Sequence, residues 1–356
     1  MADTNVVIEV NGEDLTQTLL ESGAEVDVEE AIDEPDAASV TIGLEATDDG
    51  QWVSVLDELA APDAELVVRV VGTDAYTFSG LVVGASWTID AEGASQMVIR
   101  AMDRSVEMDR VEHVVPWPGT ADSAIASTIF ANYGFGAEVE TTPSGPSPDA
   151  FTPMQRGTDW AFLKSLAAKW GYSVYLETDG DQTVGHFHPV DPLAPAGTVM
   201  PLGFGMAAVS TQVEVDFETG GAVRVARIPP LGSGPVEAEA DGSDRLQGDE
   251  SIAAAASTLL GPDDVDGEID PFESASGRAR QDAFGVRLTA TIEPIKRGPL
   301  IRARRTIEIE GLGTRLSGLY LAERVRHRLS ENDHLEEVVL VRNALGTGGG
   351  LLGRVI

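Results

Sequence analysis

Short alternating runs of apolar and polar residues dominate the chain. Val6 to Val10, Ser39 to Leu44, Leu66 to Val71, Phe78 to Ile89 and Gln96 to Met102 are β-branched or period-two segments. Turn signals such as Asp48-Asp49-Gly50 and Ala91-Glu92-Gly93 separate them. Trp52, Val55, Leu56 and Leu59 recur at helical spacing, and Pro62 closes that helix. Residues 1–105 therefore predict a β-barrel or sandwich with one helix packed on it.

The pattern changes near residue 106. Thr120 is placed to cap a helix carrying Ile125, Ile129 and Phe130, with Gly134 where a left-handed C-terminal residue is wanted. A loop with Pro143, Gly145, Pro146 and Pro148 follows. Thr158 or Asp159 then starts a second helix, with Phe162, Leu163, Leu166, Ala167 and Trp170 on one face and Gly171 at its end. Tyr172 to Glu177 and Val184 to His188 flank the turn Thr178-Asp179-Gly180-Asp181 as a hairpin. Residues 106–199 thus read as a small α+β domain.

Strands return over residues 200–345, at Val213 to Phe217, Val223 to Ile228, Val286 to Ile292, Thr306 to Ile309, Leu319 to His327 and Glu337 to Val341. An acidic excursion over residues 229–270 interrupts them and reads as a mobile loop, with Ile252 to Leu260 as a short Ala-rich helix. Residues 346–356 open on a glycine run that predicts a flexible tail. The predicted class is α+β, mainly β: two tube-like β-barrel domains with packed helices flank a small α+β domain. Ser79-Gly80-Leu81 and Ser317-Gly318-Leu319 each lead into a long strand, an acidic turn and a final strand, so the two β regions read as an internal duplication.

Charge narrows the function classes. The chain has 59 acidic and 24 basic side chains, a formal charge of −35, and only three lysines, Lys164, Lys169 and Lys296. A general or sequence-specific nucleic-acid binder is excluded, because phosphate affinity comes from clustered Lys and Arg. Arginine in place of lysine, together with the acid excess, suggests a GC-rich genome and a salt-adapted, halophilic host. Absence of cysteine removes disulfide frameworks and thiolate zinc sites. Met1 to Asp14 lacks a basic region followed by an apolar one, so no secretory signal is expected. The apolar runs fall far short of the roughly 20 residues that span a bilayer, so no stable membrane insertion is expected.

Candidate chemistry is sparse. No nucleophile elbow, P-loop, zincin motif or calcium loop occurs, and Gly311-Leu312-Gly313 reads as a turn. His186 and His188 share a strand face and, with Asp191, have the residue types of a metal site. Strand histidines are common without metal, and no metal, cofactor or catalytic residue is assigned. His113 and His327 have no sequence-visible Ser or Cys partner, and the abundance of acids empties any carboxylate pair of meaning as a glycosidase dyad. The chain therefore reads as a non-enzyme.

One basic stretch stands out. Nine basic residues lie from Lys296 to Arg328, against three acids, Glu308, Glu310 and Glu323. Arg324, Arg326 and Arg328 alternate along one strand and so share a face, and Arg302 and Arg304 lie just before it. These five arginines suit either internal pairing with the acidic first domain or a subunit or partner-protein surface, since guanidinium forks match carboxylates bidentately.

Gln155, Asp159, Trp160, Phe162-Leu163, Leu166-Ala167 and Gly171-Tyr172 form a pattern that resembles the phage late control gene D proteins. That family includes the baseplate and tail hub proteins of contractile phages and the hub portion of VgrG spikes. Asp103-Arg104, Asp109-Arg110 and the stretch Thr120 to Gly134 are similar to the family's passage out of its first barrel. Leu316-Ser317-Gly318-Leu319-Tyr320, Val325, His327 and Val341-Arg342-Asn343 are similar to its closing strands.

The resemblance implies a virion structural protein, the hub of a phage tail or of a contractile injection system. It would be a homotrimer whose paired barrels adapt a sixfold tail tube to a threefold spike. Implied partners are the tail tube protein, a separate spike protein and baseplate proteins. The implied location is a virion tail or a cytoplasmically assembled injection particle. An acidic lumen would repel nucleic acid or acidic cargo from its walls. The competing classes are a tail-associated envelope hydrolase and a surface adhesion module.

Overall fold

The computed structural model of the chain describes residues 6–44, 60–70, 76–89, 95–145, 152–179, 182–202, 208–227, 236–242, 245–252, 257–260, 271–293, 300–331 and 333–346. The first region holds β1 (Val6–Val10), β2 (Glu13–Asp14), α1 (Thr16–Glu21), β3 (Glu25–Ala31), β4 (Ala37–Gly43), β5 (Glu65–Val70), β6 (Tyr76–Thr88) and β7 (Gln96–Asp103). The middle region holds α2 (Ser105–Met108), β8 (Glu112–Pro116), α3 (Asp122–Asn132), β9 (Gly136–Val139), β10 (Met154–Thr158), α4 (Asp159–Trp170), β11 (Ser173–Asp179) and β12 (Gln182–His188). The third region contributes β13 (Thr198–Pro201), β14 (Ala208–Val215), β15 (Ala222–Arg227), β16 (Val236–Ala240), β17 (Glu250–Ser251), β18 (Ser257–Leu260) and α5 (Pro271–Gln281). It closes with β19 (Val286–Ile292), β20 (Thr306–Glu310), α6 (Gly313–Leu316), β21 (Gly318–Leu329), β22 (His334–Arg342) and β23 (Ala344–Leu345). The molecule is α+β and mainly β, as its patterning predicts. Among the described residues no helix is long and apolar enough to cross a membrane.

Period-two alternation explains the long strands. Val6, Ile8 and Val10 of β1 point inward, as do Val26 and Val28 of β3, Val40 and Ile42 of β4, and Met97, Ile99 and Ala101 of β7. A second core gathers Leu288, Ala290 and Ile292 of β19 with Ile307, Ile309, Tyr320, Val325, Val338 and Leu340. The middle region has its own core around Ile125, Phe130, Leu163, Leu166 and Phe187.

The two β regions have one strand order. In chain order the first supplies β1, β3, β4, β5, β6, β7, and these neighbour one another as β1-β5-β6-β7-β4-β3. The third supplies β13, β14, β19, β20, β21, β22, which lie side by side as β13-β20-β21-β22-β19-β14. Position by position the orders agree; the difference is that β13 meets β20 in parallel while β1 meets β5 antiparallel. Both long hairpins also carry one bulge, at Val83 and at Glu323, each two residues beyond the end of the flanking strand, at Leu81 and Leu321. This register aligns Leu81 with Leu321, so the repeated Ser-Gly-Leu tripeptides are displaced by two residues and are not equivalent positions. Antiparallel pairing of β21 with β3 fuses the two regions into one 13-stranded sheet.

Several local expectations need correction. Ile252 to Leu260 is not a helix over its described part: Ser257–Leu260 is a strand parallel to β15, and residues 253–256 lie outside the described residues. The excursion also contributes β16, so β16-β15-β18 form a small sheet on which α5 packs through Ala275 and Ala279. The helix expected over Trp52 to Leu59 and the glycine tail beyond Gly346 lie outside the described residues. Thr120 does not cap α3, whose N-cap position is Ala121. A single helical turn, Gly313–Leu316, follows the Gly311-Leu312-Gly313 segment.

The helix at the centre of the middle region follows its sequence closely. Thr158 Oγ1 accepts from Ala161 N–H at its start, and Gly171 ends it at φ +64°, where a Cβ would also strike the Gly277 backbone of α5. Leu166 has no exposure, whereas Lys164 on the next turn face is exposed. Leu166→Ala is expected to cost about 2 to 5 kcal/mol in urea unfolding and Lys164→Ala less than about 0.5 kcal/mol.

Candidate functional site

The seam between β21 and β3 collects all five arginines singled out in the sequence, in two layers. Arg324, Arg326 and Arg328 project outward, while Val325, His327 and Leu329 point into the core. β3 answers in register: Arg326 lies opposite Glu29, His327 opposite Val28 and Arg328 opposite Asp27. On the outer face Arg324 pairs with Glu29 and, at 3.0 Å, with Glu34. The Nε atoms of Arg326 and Arg328 donate to Asp27 Oδ1 at 3.0 and 3.4 Å, and Arg328 also reaches Glu337 at 3.2 Å. These three arginines are half-exposed, and their partners belong to the same chain.

The inner layer corrects a placement. Arg302 and Arg304 do not join the outer face: the Arg304 side chain has no exposure and that of Arg302 is 22% exposed. Arg302 Nε donates to both oxygens of Glu30 at 2.9 Å and its Nη2 donates to Oε1 at 2.8 Å, around a carboxylate that is itself fully buried. Arg304 Nη2 donates to Asp36 Oδ1 and to the Ala31 carbonyl, both at 2.6 Å. Burial opposes the charge of Arg304, but Asp36 and then Glu30 outweigh it, so its pKa is raised and it stays protonated. Its left-handed backbone, φ +65°, aims the side chain at these partners. The reason for burial is local: residues 301–305 cross beneath the seam before entering β20.

Aromatic rings line this junction. The Arg302 guanidinium lies 4.1 Å above the ring of Tyr76, and Arg304 lies 4.3 Å above that of Tyr175. Arg305 continues outward to Glu177 of β11, with contacts of 2.8 and 3.1 Å. Three arginines of one five-residue segment, Arg302, Arg304 and Arg305, therefore tie together the first β region, the middle region and the third.

Beside the junction sits a sealed polar cluster that sequence reasoning missed. His327 Nδ1 lies 3.3 Å from His334 Nε2 and 3.5 Å from Glu336 Oε1, and Ile301 N–H donates to that oxygen at 3.3 Å. Burial pushes Glu336 up to about 8. Burial, then His334 and Arg302, bring His327 down to about 3, and burial brings His334 down to about 4. All three are therefore neutral near pH 7. The signal was present as alternation, because His327, His334 and Glu336 fall on the inward-facing positions of β21 and β22.

The Gln155 to Tyr172 motif also acquires a physical basis. Gln155 Nε2 donates to Asp159 Oδ1 at 2.6 Å, Tyr133 O–H donates to Asp159 Oδ2 at 2.8 Å, and Gln155 Oε1 accepts from Trp117 Nε1 at 3.3 Å. His113 lies on the same carboxylate at 3.9 Å. A cavity of about 160 Å³ opens where the first, middle and third regions meet. Its two carboxylates are Asp33, which accepts from Ser173, and Glu323, which pairs with Arg287.

The fold is similar to that of solved phage tail proteins. The chain is similar to the 43 kDa tail protein of prophage MuSo2 from Shewanella oneidensis, at 13% identity over 96% of this chain and 99% of that one, with a TM-score of 0.65. The tail protein of Neisseria meningitidis MC58 matches at 13% identity over 95% and 96%, again at 0.65. The E. coli protein c3393, a type VI secretion system component with structural similarity to T4 tail proteins, matches at 10% identity over 97% and 79%, at 0.53. At these identities the likeness establishes the fold. Residues 2–222 match the family model of the Alg8 N-terminal domain, and the chain belongs to that family. No curated protein sequence matches the chain.

Two measurements test the layered seam. Arg302→Ala is expected to destabilise by about 3 to 5 kcal/mol, because it strands a buried carboxylate, whereas Arg326→Ala should cost less than about 1 kcal/mol. Glu336 has a folded pKa near 8 against an ordinary 4.5, so its contribution is whole below pH 4.5 and is lost as pH rises through 8. The stability of wild type relative to Glu336→Gln should therefore fall between pH 5 and pH 8, with a slope of up to about 1.4 kcal/mol per pH unit.

Proposed function

We propose that this protein is a structural hub of a phage tail or phage-like injection particle, of the late control gene D and VgrG-hub kind. Three copies would form a ring of six similar β units between a sixfold tail tube and a threefold spike. The observation that carries this reading is the shared strand order of the two β regions, together with what it leaves open at the sheet's edges.

Within the chain, β3 covers the C-terminal half of β21 from Arg324 to Leu329. Among the described residues, the equivalent half of β6, beyond Val82, pairs with β7 alone. By the bulge register Ala85, Trp87 and Ile89 occupy the positions of Val325, His327 and Leu329, which are buried in the intrachain seam. Trp87 and Ile89 are instead 52% and 61% exposed. β14, the counterpart of β3, pairs with β19 and presents its other edge outward. A copy's β14 set against its neighbour's β6 would repeat the intrachain seam, with Trp87 opposite Val213, Thr88 opposite Gln212 and Ile89 opposite Thr211. Each chain then donates one edge and accepts one, and the ring closes after three chains.

That intersubunit seam would be chemically unlike the intrachain one. Gly84, Ser86 and Thr88 stand where Arg324, Arg326 and Arg328 stand, so no ion-pair ladder forms. Apolar contact and strand pairing would hold it, and both tolerate the salt that screens a chain of charge −35. The two engaged cavity carboxylates give a hydrolase no free acid–base pair there.

The chain has no cysteine, which makes cross-linking a clean test. Thr88→Cys with Gln212→Cys should give an oxidised ladder ending at a trimer, while Thr88→Cys with Val209→Cys, out of register, should cross-link poorly. Light scattering of the unmodified protein in molar NaCl, with tube protein present, should report three copies, and Trp87→Glu should abolish the trimer without changing the circular dichroism. A monomer under these conditions, or equal cross-linking by both pairs, would sink the hub reading.

A further inference from the structure

We propose that Glu138, His186 and His188 bind a divalent first-row transition-metal ion, with Zn²⁺ the best match. The three lie on the small sheet β11-β12-β9 of the middle region. His186 and His188 are two apart on β12 and share a face. Glu138 on β9 is the direct register partner of His186. One nitrogen of each histidine and one carboxylate oxygen lie within 4.8 Å of one another.

The spacing is that of a tetrahedral ion. Bonds of about 2.0 to 2.1 Å at the tetrahedral angle place ligand atoms roughly 3.3 Å apart. His186 Nδ1 lies 3.3 Å from His188 Nε2 and 3.4 Å from Glu138 Oε2. Tyr175 O–H, opposite His186 on β11, lies 3.3 Å from His188 Nε2 and leaves a fourth position to itself or to water.

Protonation logic points the same way. His188 Nδ1 is 3.0 Å from the Pro189 carbonyl, which can only accept, so its proton sits on Nδ1 and Nε2 offers a lone pair. His186 Nε2 faces Glu177 at 3.6 Å, a carboxylate held by Arg305, so its proton belongs there and Nδ1 offers a lone pair. Two imidazole lone pairs and a carboxylate therefore converge, an arrangement that a cation satisfies. Outer acceptors behind metal-bound histidines are the usual way of fixing their tautomer. The imidazole and carboxylate set favours zinc, nickel, cobalt or copper over magnesium or calcium.

Access and placement agree. The Glu138 side chain is 70% exposed, giving an ion a way in, while His186 is buried and stacked on Tyr175 at 4.5 Å. Asp191, the third ligand that the sequence suggested, is instead engaged by Arg245 and by Leu193 N–H. The cluster of His327, His334 and Glu336 has the same residue types but is sealed beneath the seam. This site does not depend on the hub reading.

Calorimetric titration of the full chain with Zn²⁺, in molar NaCl and excess Mg²⁺ to mask the acidic surface, should show one tight equivalent. Co²⁺ should give the intense visible absorption of a four-coordinate site. Glu138→Gln, at an exposed position that leaves the fold intact, should weaken binding at least tenfold, and His188→Ala should remove the tight equivalent and the rise in Tm that Zn²⁺ confers on the wild type. Equal titrations of wild type and both variants would overturn the proposal. So would loss of the tight equivalent in His334→Gln but not in His188→Ala, which would move the ion to the sealed cluster.

Discussion

Glu30 is a carboxylate with no exposure, and the bidentate guanidinium of Arg302 is what allows β3 to carry it into the interior. An unpaired charge at that position would be prohibitive, and the pair is tolerable because every charged oxygen is met. β3 is also the strand through which two β regions become one sheet, with β4 on one side and β21 on the other. Arg304 and Arg305 extend the same segment to Asp36 and Glu177, so the middle region is held to the seam by the residues that follow the key pair. Stacking of Arg302 on Tyr76 and of Arg304 on Tyr175 screens both charges from water.

The outer arginines do a different job. In water, half-exposed pairs contribute little stability each, but three of them in register against Asp27, Glu29 and Glu34 disfavour a slipped alignment. A two-residue slip keeps the inward face but would leave an arginine without its carboxylate, while a one-residue slip would turn Val325 and Leu329 out of the core. Charge thus specifies which two strands meet within the chain. The corresponding stretch of β6 carries no such code and exposes Trp87 and Ile89, so the two edges of the repeated unit are chemically distinct although their geometry repeats.

Much of this was legible along the chain. Alternation located β1, β4, β5, β6, β7, β19, β20, β21 and β22 to within about two or three residues, because each has one face on a core. The Gln155 to Tyr172 segment was readable because its capping threonine, apolar stripe and terminal glycine are all local devices. β3 was missed: its Val26 and Val28 alternate correctly, but the acids between them resemble a solvated loop until arginines from residues 324–328 stand opposite. α5 was missed because Ser274, Ser276 and Gly277 are poor helix formers, and their small size matters only where Gly277 meets Gly171.

By itself the sequence determined the class, the periodic strands, the middle helices, the excess of negative charge and the five arginines that matter. It left open whether those arginines face inward or outward, since alternation assigns a face but not what covers it. Only the tertiary structure separated Arg302 and Arg304, buried on Glu30 and Asp36, from Arg324, Arg326 and Arg328 on the surface. It alone brought Glu138 beside His186 and Glu336 beside His327, and it alone aligned the two β regions through their bulges instead of through a repeated tripeptide. The physical reason is sequence distance: Arg302 and Glu30 are 272 residues apart. A contact of that span leaves no periodic trace in the chain.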